Sequence, residues 1–211
     1  MTENRKIDIL MATYNGEKYL AEQIDSIISQ TYKNWNLLIR DDGSSDSTFK
    51  ILLEYEKKDD RIKIVKDEKG NLGIAKNFEE LLKITSSELV MFSDQDDVWK
   101  KDKIEIMMKY ISDYDLIVSD AVVVNEKLKC INESLFYIVK SKKGIIKNII
   151  KNTYYGCCML FKRKVLKKAL PIPENKEIGH DLWLGIIADR YFKVKFLKEK
   201  KWNKYRNKIS F

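Results

Sequence analysis

Three short polar clusters stand out in the first half of this sequence: Thr13-Tyr14-Asn15-Gly16-Glu17, Asp41-Asp42-Gly43-Ser44-Ser45-Asp46 and Ser93-Asp94-Gln95-Asp96-Asp97. Six of the 25 acidic residues in residues 1–120 sit in the last two. Such density of negative charge is costly unless a cation or hydrogen-bond donors face it. Hard cations such as Mg²⁺ and Mn²⁺ take oxygen ligands, commonly one or two carboxylates plus substrate phosphates. An Asp-x-Asp such as Asp94-Gln95-Asp96 offers one carboxylate to a metal and another to a ribose hydroxyl or a water. Exposed Asp runs also serve turns and caps. The place of this one, directly after the apolar run Leu89-Val90-Met91-Phe92, favours the ligand reading. An EF-hand is excluded, because its Gly and terminal Glu are missing at the required spacing. In the second cluster Asp42-Gly43 makes a turn, and Ser45 or Asp46 caps the next helix. Its functional reading is a carboxylate accepting from a base N–H, with Gly43 letting backbone come close.

These clusters need strands behind them. Apolar runs alternate with stretches of helical spacing. Strands are expected at Lys6–Thr13, Trp35–Arg40, Arg61–Lys66, Glu88–Phe92 and Leu116–Ser119. Helices are expected at Lys18–Gln30, Asp46–Lys57, Leu72–Ile84 and Lys101–Ile111. That alternation predicts βαβ units and a mostly parallel sheet. All three clusters then fall beyond the carboxyl ends of strands, where open α/β sheets bind ligands. Further on, Ile145–Lys151, Arg163–Leu170 and Asp181–Tyr191 read as helices, and Tyr155–Phe161 and Val194–Leu197 as strands.

The chain has 211 residues, a 44% hydrophobic and a 34% charged share, the composition of one globular domain. No apolar run approaches the roughly 18–20 residues of a membrane-spanning helix. The short, Asp-interrupted apolar run near the N-terminus does not make a secretory signal, so a cytoplasmic location is expected. Three Cys, two of them adjacent, make neither a disulfide framework nor, with His180 the only histidine, a zinc site. They read as buried apolar residues. Residues 1–120 carry 18 Lys+Arg and 25 Asp+Glu, a net of −7, and residues 121–211 carry 22 and 7, a net of +15. Lys outnumbers Arg 34 to 6, as in AT-rich genomes, but codon bias does not explain the asymmetry between halves. An acidic front suits a metal or catalytic site, and a basic rear suits an anionic partner or peripheral contact with an anionic membrane surface. No nucleic-acid module is recognisable.

The motifs Ala12-Thr13-Tyr14-Asn15-Gly16, Asp41-Asp42-Gly43-Ser44-Ser45-Asp46, Asn71-Leu72-Gly73 and Ser93-Asp94-Gln95-Asp96-Asp97-Val98-Trp99 occur in an order and spacing that resemble family 2 glycosyltransferases of GT-A fold. The resemblance is densest from Ile7 to about Lys103, and resumes at Gly156–Phe161 and His180–Trp183. The members it most resembles are rhamnosyltransferase-like enzymes of bacterial surface-polysaccharide assembly.

The resemblance implies a Rossmann-like, mostly parallel sheet flanked by helices. It implies a nucleotide-sugar-binding half over residues 1–120 and a small acceptor-side half over 121–211. Thr13, Tyr14, Asn15 and Glu17 would border the nucleotide, and Asp41 or Asp42 would bind the base. Asp94 would lie near the ribose and the metal, and Asp96 would bind the Mg²⁺ or Mn²⁺ bridging the donor diphosphate, with Asp97 as a helper. Asp181 matches the general base, a role that also makes physical sense, since a positioned base is worth roughly 10²–10⁴-fold in rate. It would also cap the helix that follows. His180 is an acceptor-side group or a packed histidine. Trp183 stacks on a sugar or packs.

The expected partners are a dTDP- or UDP-linked sugar donor and a glycan acceptor, lipid-linked in this branch. Where many relatives carry Tyr-Arg-x-His, this sequence has Tyr205-Arg206-Asn207-Lys208 and stops at Phe211. A minimal member, a truncated form, or one borrowing its acceptor site from a partner subunit are the corresponding expectations. A sugar-nucleotide-binding module without turnover is the alternative. A nucleotidyltransferase would want a Gly-rich phosphate loop after the first strand, and Thr13–Glu17 is not one.

Overall fold

The structure is a computed structural model that describes residues 4–173, 178–198 and 203–206. Its central sheet is built from β1 (Ile7–Thr13), β2 (Trp35–Asp41), β3 (Ile62–Ile64), β4 (Leu89–Ser93), β6 (Leu116–Ser119), β9 (Met159–Lys162) and β10 (Val194–Leu197). Their order is β10-β6-β9-β4-β1-β2-β3. Every neighbouring pair is parallel except those of β9, which runs antiparallel between β4 and β6. A smaller sheet orders β5 (Val98–Trp99), β11 (Asn203–Arg206), β7 (Val122–Val124) and β8 (Cys130–Asn132). The helices are α1 (Leu20–Ile28), α2 (Thr48–Lys58), α3 (Ile74–Ile84), α4 (Lys103–Met108), α5 (Leu135–Val139), α6 (Ile145–Ile150), α7 (Arg163–Ala169) and α8 (His180–Tyr191).

Strand alternation decides the layers. Ile7, Ile9 and Met11 of β1 face one apolar layer with Leu20, Ile24 and Ile27 of α1 and Ile104 and Met107 of α4. Leu10 faces the other layer, with Phe78, Leu81 and Leu82 of α3 and Leu184 and Ala188 of α8. Both faces are covered, so β1 is buried almost throughout. Each such aliphatic side chain contributes about 1.5–3 kcal/mol on burial.

Three expectations need correction. Tyr155–Phe161 is not one strand: Gly156–Cys158 forms a 3-10 turn and β9 starts at Met159. Cys130 is exposed on three-residue β8, whereas Cys157 and Cys158 are buried as expected. Helix α2 starts at Thr48, and Asp46 Oδ1 accepts the Thr48 N–H at 2.9 Å. Asn207, Lys208 and the side chains of Tyr205 and Arg206 lie outside the described residues. No described helix is long and apolar enough to cross a membrane.

Candidate active site

The register of β1 against β2 and β4 sets Thr13 beside Asp41 and Met11 beside Ser93. The three polar clusters therefore meet at one sheet edge, and their side chains tie the loops together. Asp41 Oδ1 accepts the hydroxyls of Thr13 (2.9 Å) and Ser44 (2.6 Å), and Oδ2 accepts the Ser44 N–H (2.8 Å). Asn15 has a left-handed φ of 45°, donates its N–H to Ser44 Oγ and accepts the Ser45 N–H on Oδ1, both at 2.9 Å. Glu17 Oε2 accepts the Ser47 N–H at 2.8 Å, and Asp46 Oδ2 accepts the Glu17 N–H at 3.1 Å. Asn15 and Glu17 thus brace the β1 and β2 loops against each other.

Asp42 is held differently. It is buried, and Oδ1 accepts Arg40 Nη1 at 2.7 Å and the Leu72 N–H at 2.8 Å, while Oδ2 accepts the Gly73 N–H at 2.8 Å. Arg40, also buried, reaches on to Asp67 with two further bonds at 2.8 and 3.0 Å. This planar fork fixes the Asn71-Leu72-Gly73 segment over the end of β2. Asp42, unlike Asp41, lines the cleft that opens there, about 560 Å³ in volume and walled also by Thr13, Tyr14, Asn77, Asp94 and Asp96. That volume suits a nucleotide-sized ligand. Asn77 is buried and gives its amide to the Arg40 carbonyl, while its Oδ1 has no hydrogen-bond partner. A buried acceptor in that state is costly, and a bound N–H donor would satisfy it.

The β4 loop closes the opposite wall. Gln95, the middle residue of Asp94-Gln95-Asp96, pairs both amide ends with the Tyr14 backbone at 3.0 Å. Gly16 lies beneath this strap, and a Cβ there would overlap the Gln95 carboxamide. Asp96 is buried on the cleft wall. The carboxylates of Asp94 and Asp97 and the Sγ of Cys157 come within 4.8 Å of one another. Behind them lies Lys103, fully buried, its ammonium donating to the Cys157 carbonyl at 2.6 Å and sitting 3.8 Å over the Trp99 ring. Burial pulls the Lys103 pKa down, and the nearby Cys158, Cys157, Asp97 and Asp94 oppose that pull.

Six carboxylates in the two loops thus have Arg40 and Lys103 as their buried cations among the described residues. The oxygen donors of Asp94, Asp96 and Asp97 suit a hard divalent cation. Contact with Cys158, burial and the neighbouring Asp97 all raise the Cys157 thiol's pKa, and a soft sulfur ligand does not suit Mg²⁺ or Mn²⁺.

Helix α8 brings the last groups. Gly156 is packed so closely that a Cβ would stand 3.2 Å from His180 Nε2 and 3.4 Å from Phe92. This small residue lets the start of α8 sit against the end of β4, one residue from Cys157. Asp181 lies in the first turn, half-buried, accepting the Leu182 N–H at 2.7 Å, where the helix N-terminus favours negative charge. Burial foremost, then the Asp181 charge, push the Tyr155 hydroxyl above its ordinary pKa. His180 is stacked on Phe78 at 4.2 Å and edge-on to Phe92 at 4.9 Å. Burial holds its pKa below the ordinary histidine value against the pull of Asp181. Trp183, partly buried, packs on the core and donates its indole N–H to the Ala169 carbonyl at 2.7 Å.

Arg40, Asn77, Gln95 and Lys103 escaped the reading of the sequence. Only Gln95 carried a signal there, as the residue inside the Asp-x-Asp.

Comparison with known proteins shows the family. The family model Glycosyl transferase family 2 matches residues 8–170. An Escherichia coli protein, UDP-Glc:alpha-D-GlcNAc-diphosphoundecaprenol beta-1,3-glucosyltransferase WfgD, is 32% identical over 187 residues, covering 87% of this chain and 70% of its own length. Among solved structures, Staphylococcus aureus TarS 1–349 in complex with UDP-GlcNAc superposes with a TM-score of 0.77 at 21% identity, covering 98% of this chain and 60% of that one. The mannosyltransferase PcManGT from Pyrobaculum calidifontis, in complex with GDP-Man and Mn²⁺, gives 0.69 at 18% identity, covering 92% of this chain and 55% of that one. The chain therefore spans about three fifths of those structures. It belongs to glycosyl transferase family 2, the glycosyltransferases built on the GT-A fold.

Proposed function

We propose that this chain binds a UDP- or dTDP-linked sugar in the cleft over β1, β2 and β4, and transfers the sugar with inversion to a lipid-linked acceptor in bacterial surface-glycan assembly. The observation that carries the reading is the convergence of Asp42, Asn77, Asp94 and Asp96 on one cleft, with Asp181 packed against Gly156, the neighbour of the Cys157 whose Sγ approaches Asp94. The names of the E. coli relative and of the TarS complex, both with UDP-sugars, support a uridine donor.

In this reading Asp42 faces the base. Arg40 and two loop amides hold its carboxylate, while the cleft stays open in front of it. Asn77 lines the same wall of the cleft. Asp41 organises the β2 loop from behind, through Thr13 and Ser44. Asp94, Asp96 and Asp97 would hold a divalent cation, which when bound would neutralise charge on the departing diphosphate. The acceptor hydroxyl gives its proton to the Asp181 carboxylate as its oxygen bonds to the anomeric carbon. The bond from that carbon to the phosphate oxygen breaks, and the nucleoside diphosphate leaves with the electron pair. His180, packed against Phe78 and Phe92, positions the first turn of α8.

The test is a nucleotide-release assay with UDP-Glc, UDP-GlcNAc and dTDP-rhamnose, each with a lipid-diphosphate-linked sugar acceptor. Asp181→Asn is expected to slow release by roughly 10²–10⁴-fold with donor affinity unchanged. Equal rates for the variant and the parent chain would remove Asp181 from the chemistry.

A further inference from the structure

Helix α6 is inside out for a helix on a globular surface. Its sequence is Ile-Ile-Lys-Asn-Ile-Ile, and its one buried side chain is Asn148. Ile146, Ile149 and Ile150 are 77%, 63% and 81% exposed. A polar network holds the helix in place. Asn148 Nδ2 donates to the Gly144 carbonyl at 2.8 Å and to Asp189 Oδ2 of α8 at 3.2 Å, and Asn148 Oδ1 accepts the Thr153 hydroxyl at 2.5 Å. The Gly144 N–H also reaches Asp189 Oδ2, at 2.9 Å. Exposure of the isoleucines is therefore the fixed state of the fold.

Neighbouring α5 adds Tyr137 and Ile138, 77% and 44% exposed. Lys147 joins the two helices. It donates to the Lys140 carbonyl at 2.6 Å, and it lines both the hollow of about 770 Å³ beside α5 and the one of about 860 Å³ beside α6. Five large apolar side chains thus stand exposed within residues 137–150, interleaved with Lys140, Lys142, Lys143, Lys147 and Lys151. Residues 134–173 contain ten Lys and Arg and no Asp or Glu.

Apolar side chains that enter the acyl boundary, ringed by Lys at headgroup level, are the make-up of an interfacial membrane contact. A protein partner that complemented this charge would need a dense acidic surface around an apolar centre, whereas an anionic bilayer supplies both in one material. We propose that the α5–α6 face docks this chain on the surface of an anionic bilayer. This goes beyond the proposed function, because the contact needs neither donor nor metal. It also fits that function's geometry. Asp189, which anchors α6, lies eight residues from Asp181 on α8, about 12 Å along the helix.

The test is co-sedimentation of the 211-residue chain with vesicles of phosphatidylcholine alone and of phosphatidylcholine mixed with phosphatidylglycerol, at low and raised salt. The parent chain is expected to bind the anionic vesicles, more weakly at raised salt and at least about tenfold more weakly without the anionic lipid. The triple variants I146S/I149S/I150S and K140E/K142E/K143E are each expected to bind on the order of tenfold or more weakly. Nucleotide affinity and melting temperature should stay at parent values, since none of these side chains packs in the core or touches the cleft. Absent binding, equal binding to neutral and anionic vesicles, or parent-like binding by both variants would overturn the proposal. So would indifference to vesicles combined with a concentration-dependent dimer that I146S/I149S/I150S dissociates, which would assign the face to a second copy of the chain. A parent chain that binds vesicles but no nucleotide would contradict the proposed function and leave this proposal standing.

Discussion

Asp8 and Asp42 are buried carboxylates at opposite ends of neighbouring strands. Asp8, near the start of β1, accepts from the Thr85 and Ser87 hydroxyls, the Ser86 and Ser87 N–H groups and the Asn36 amide, at 2.7–3.0 Å. Asp42, just past the end of β2, accepts from a guanidinium and two amides at 2.7–2.8 Å. By burial and bonding the two look alike. What separates them is setting. Asp8 fastens the turn between α3 and β4, whereas Asp42 fastens a loop and is also the wall of a cleft shared with Asp94 and Asp96. Satisfied hydrogen bonds do not distinguish a structural carboxylate from a functional one. An open cleft and a surplus of like charge do.

The largest effect should come from breaking the Asp42 end. Arg40→Ala leaves Asp42 and Asp67 without their guanidinium, and is expected to cost about 3–5 kcal/mol in urea unfolding. A loss below about 1 kcal/mol would mean that the loop amides alone suffice for Asp42. Next is the strap. Gly16→Ala drives a methyl into the Gln95 carboxamide, which must turn away and give up its two bonds to the Tyr14 backbone, and is expected to cost about 1–3 kcal/mol and to weaken nucleotide binding. Gln95→Ala in the same chain should restore part of the stability, and strictly additive losses would show that the collision is not with Gln95.

The Asp8 end sharpens the contrast through pH. Burial alone would raise the Asp8 pKa, but bonds from Thr85, Ser87 and Asn36 outweigh it and hold the carboxyl below 3.8. A depressed folded pKa gives stability that is full above the unfolded value and lost as pH falls through the folded one. Asp8→Asn is therefore expected to be less stable by about 1–3 kcal/mol at neutral pH, with the deficit shrinking below about pH 4 and nucleotide affinity unchanged at every pH. A deficit that is constant with pH would mean that the charge of Asp8 contributes nothing.

Much of the fold was legible in the sequence. Strands such as β1 and β4 are apolar runs buried on both faces, and α1 and α3 carry a clear apolar stripe. The small sheet was not legible, because β5, β7, β8 and β11 have only two to four residues each, too few for a period to show. Helix α6 was read as a helix, but its reversed polarity shows only once Asn148 is seen facing Asp189.

At the site, the carboxylates announced themselves by type and spacing. Their supports did not. Arg40 is a single Arg at a strand end, Asn77 one polar residue on an amphipathic helix, and Lys103 one Lys in a chain with 34. Their roles come from long-range packing, such as the 54 residues between Lys103 and Cys157. The choice between Asp41 and Asp42, open in the sequence, turns on which of the two lines the cleft.

In the proposed function the acidic edge binds a nucleotide sugar through a divalent cation. The most direct test of this is calorimetric titration with UDP and with dTDP, each in Mn²⁺ and in EDTA, on the parent chain and on Asp96→Ala. Mn²⁺-dependent binding of at least one nucleotide is expected, lost in EDTA and lost in Asp96→Ala with the melting temperature preserved. Binding of equal strength in EDTA, or a parent-like affinity in Asp96→Ala, would contradict it.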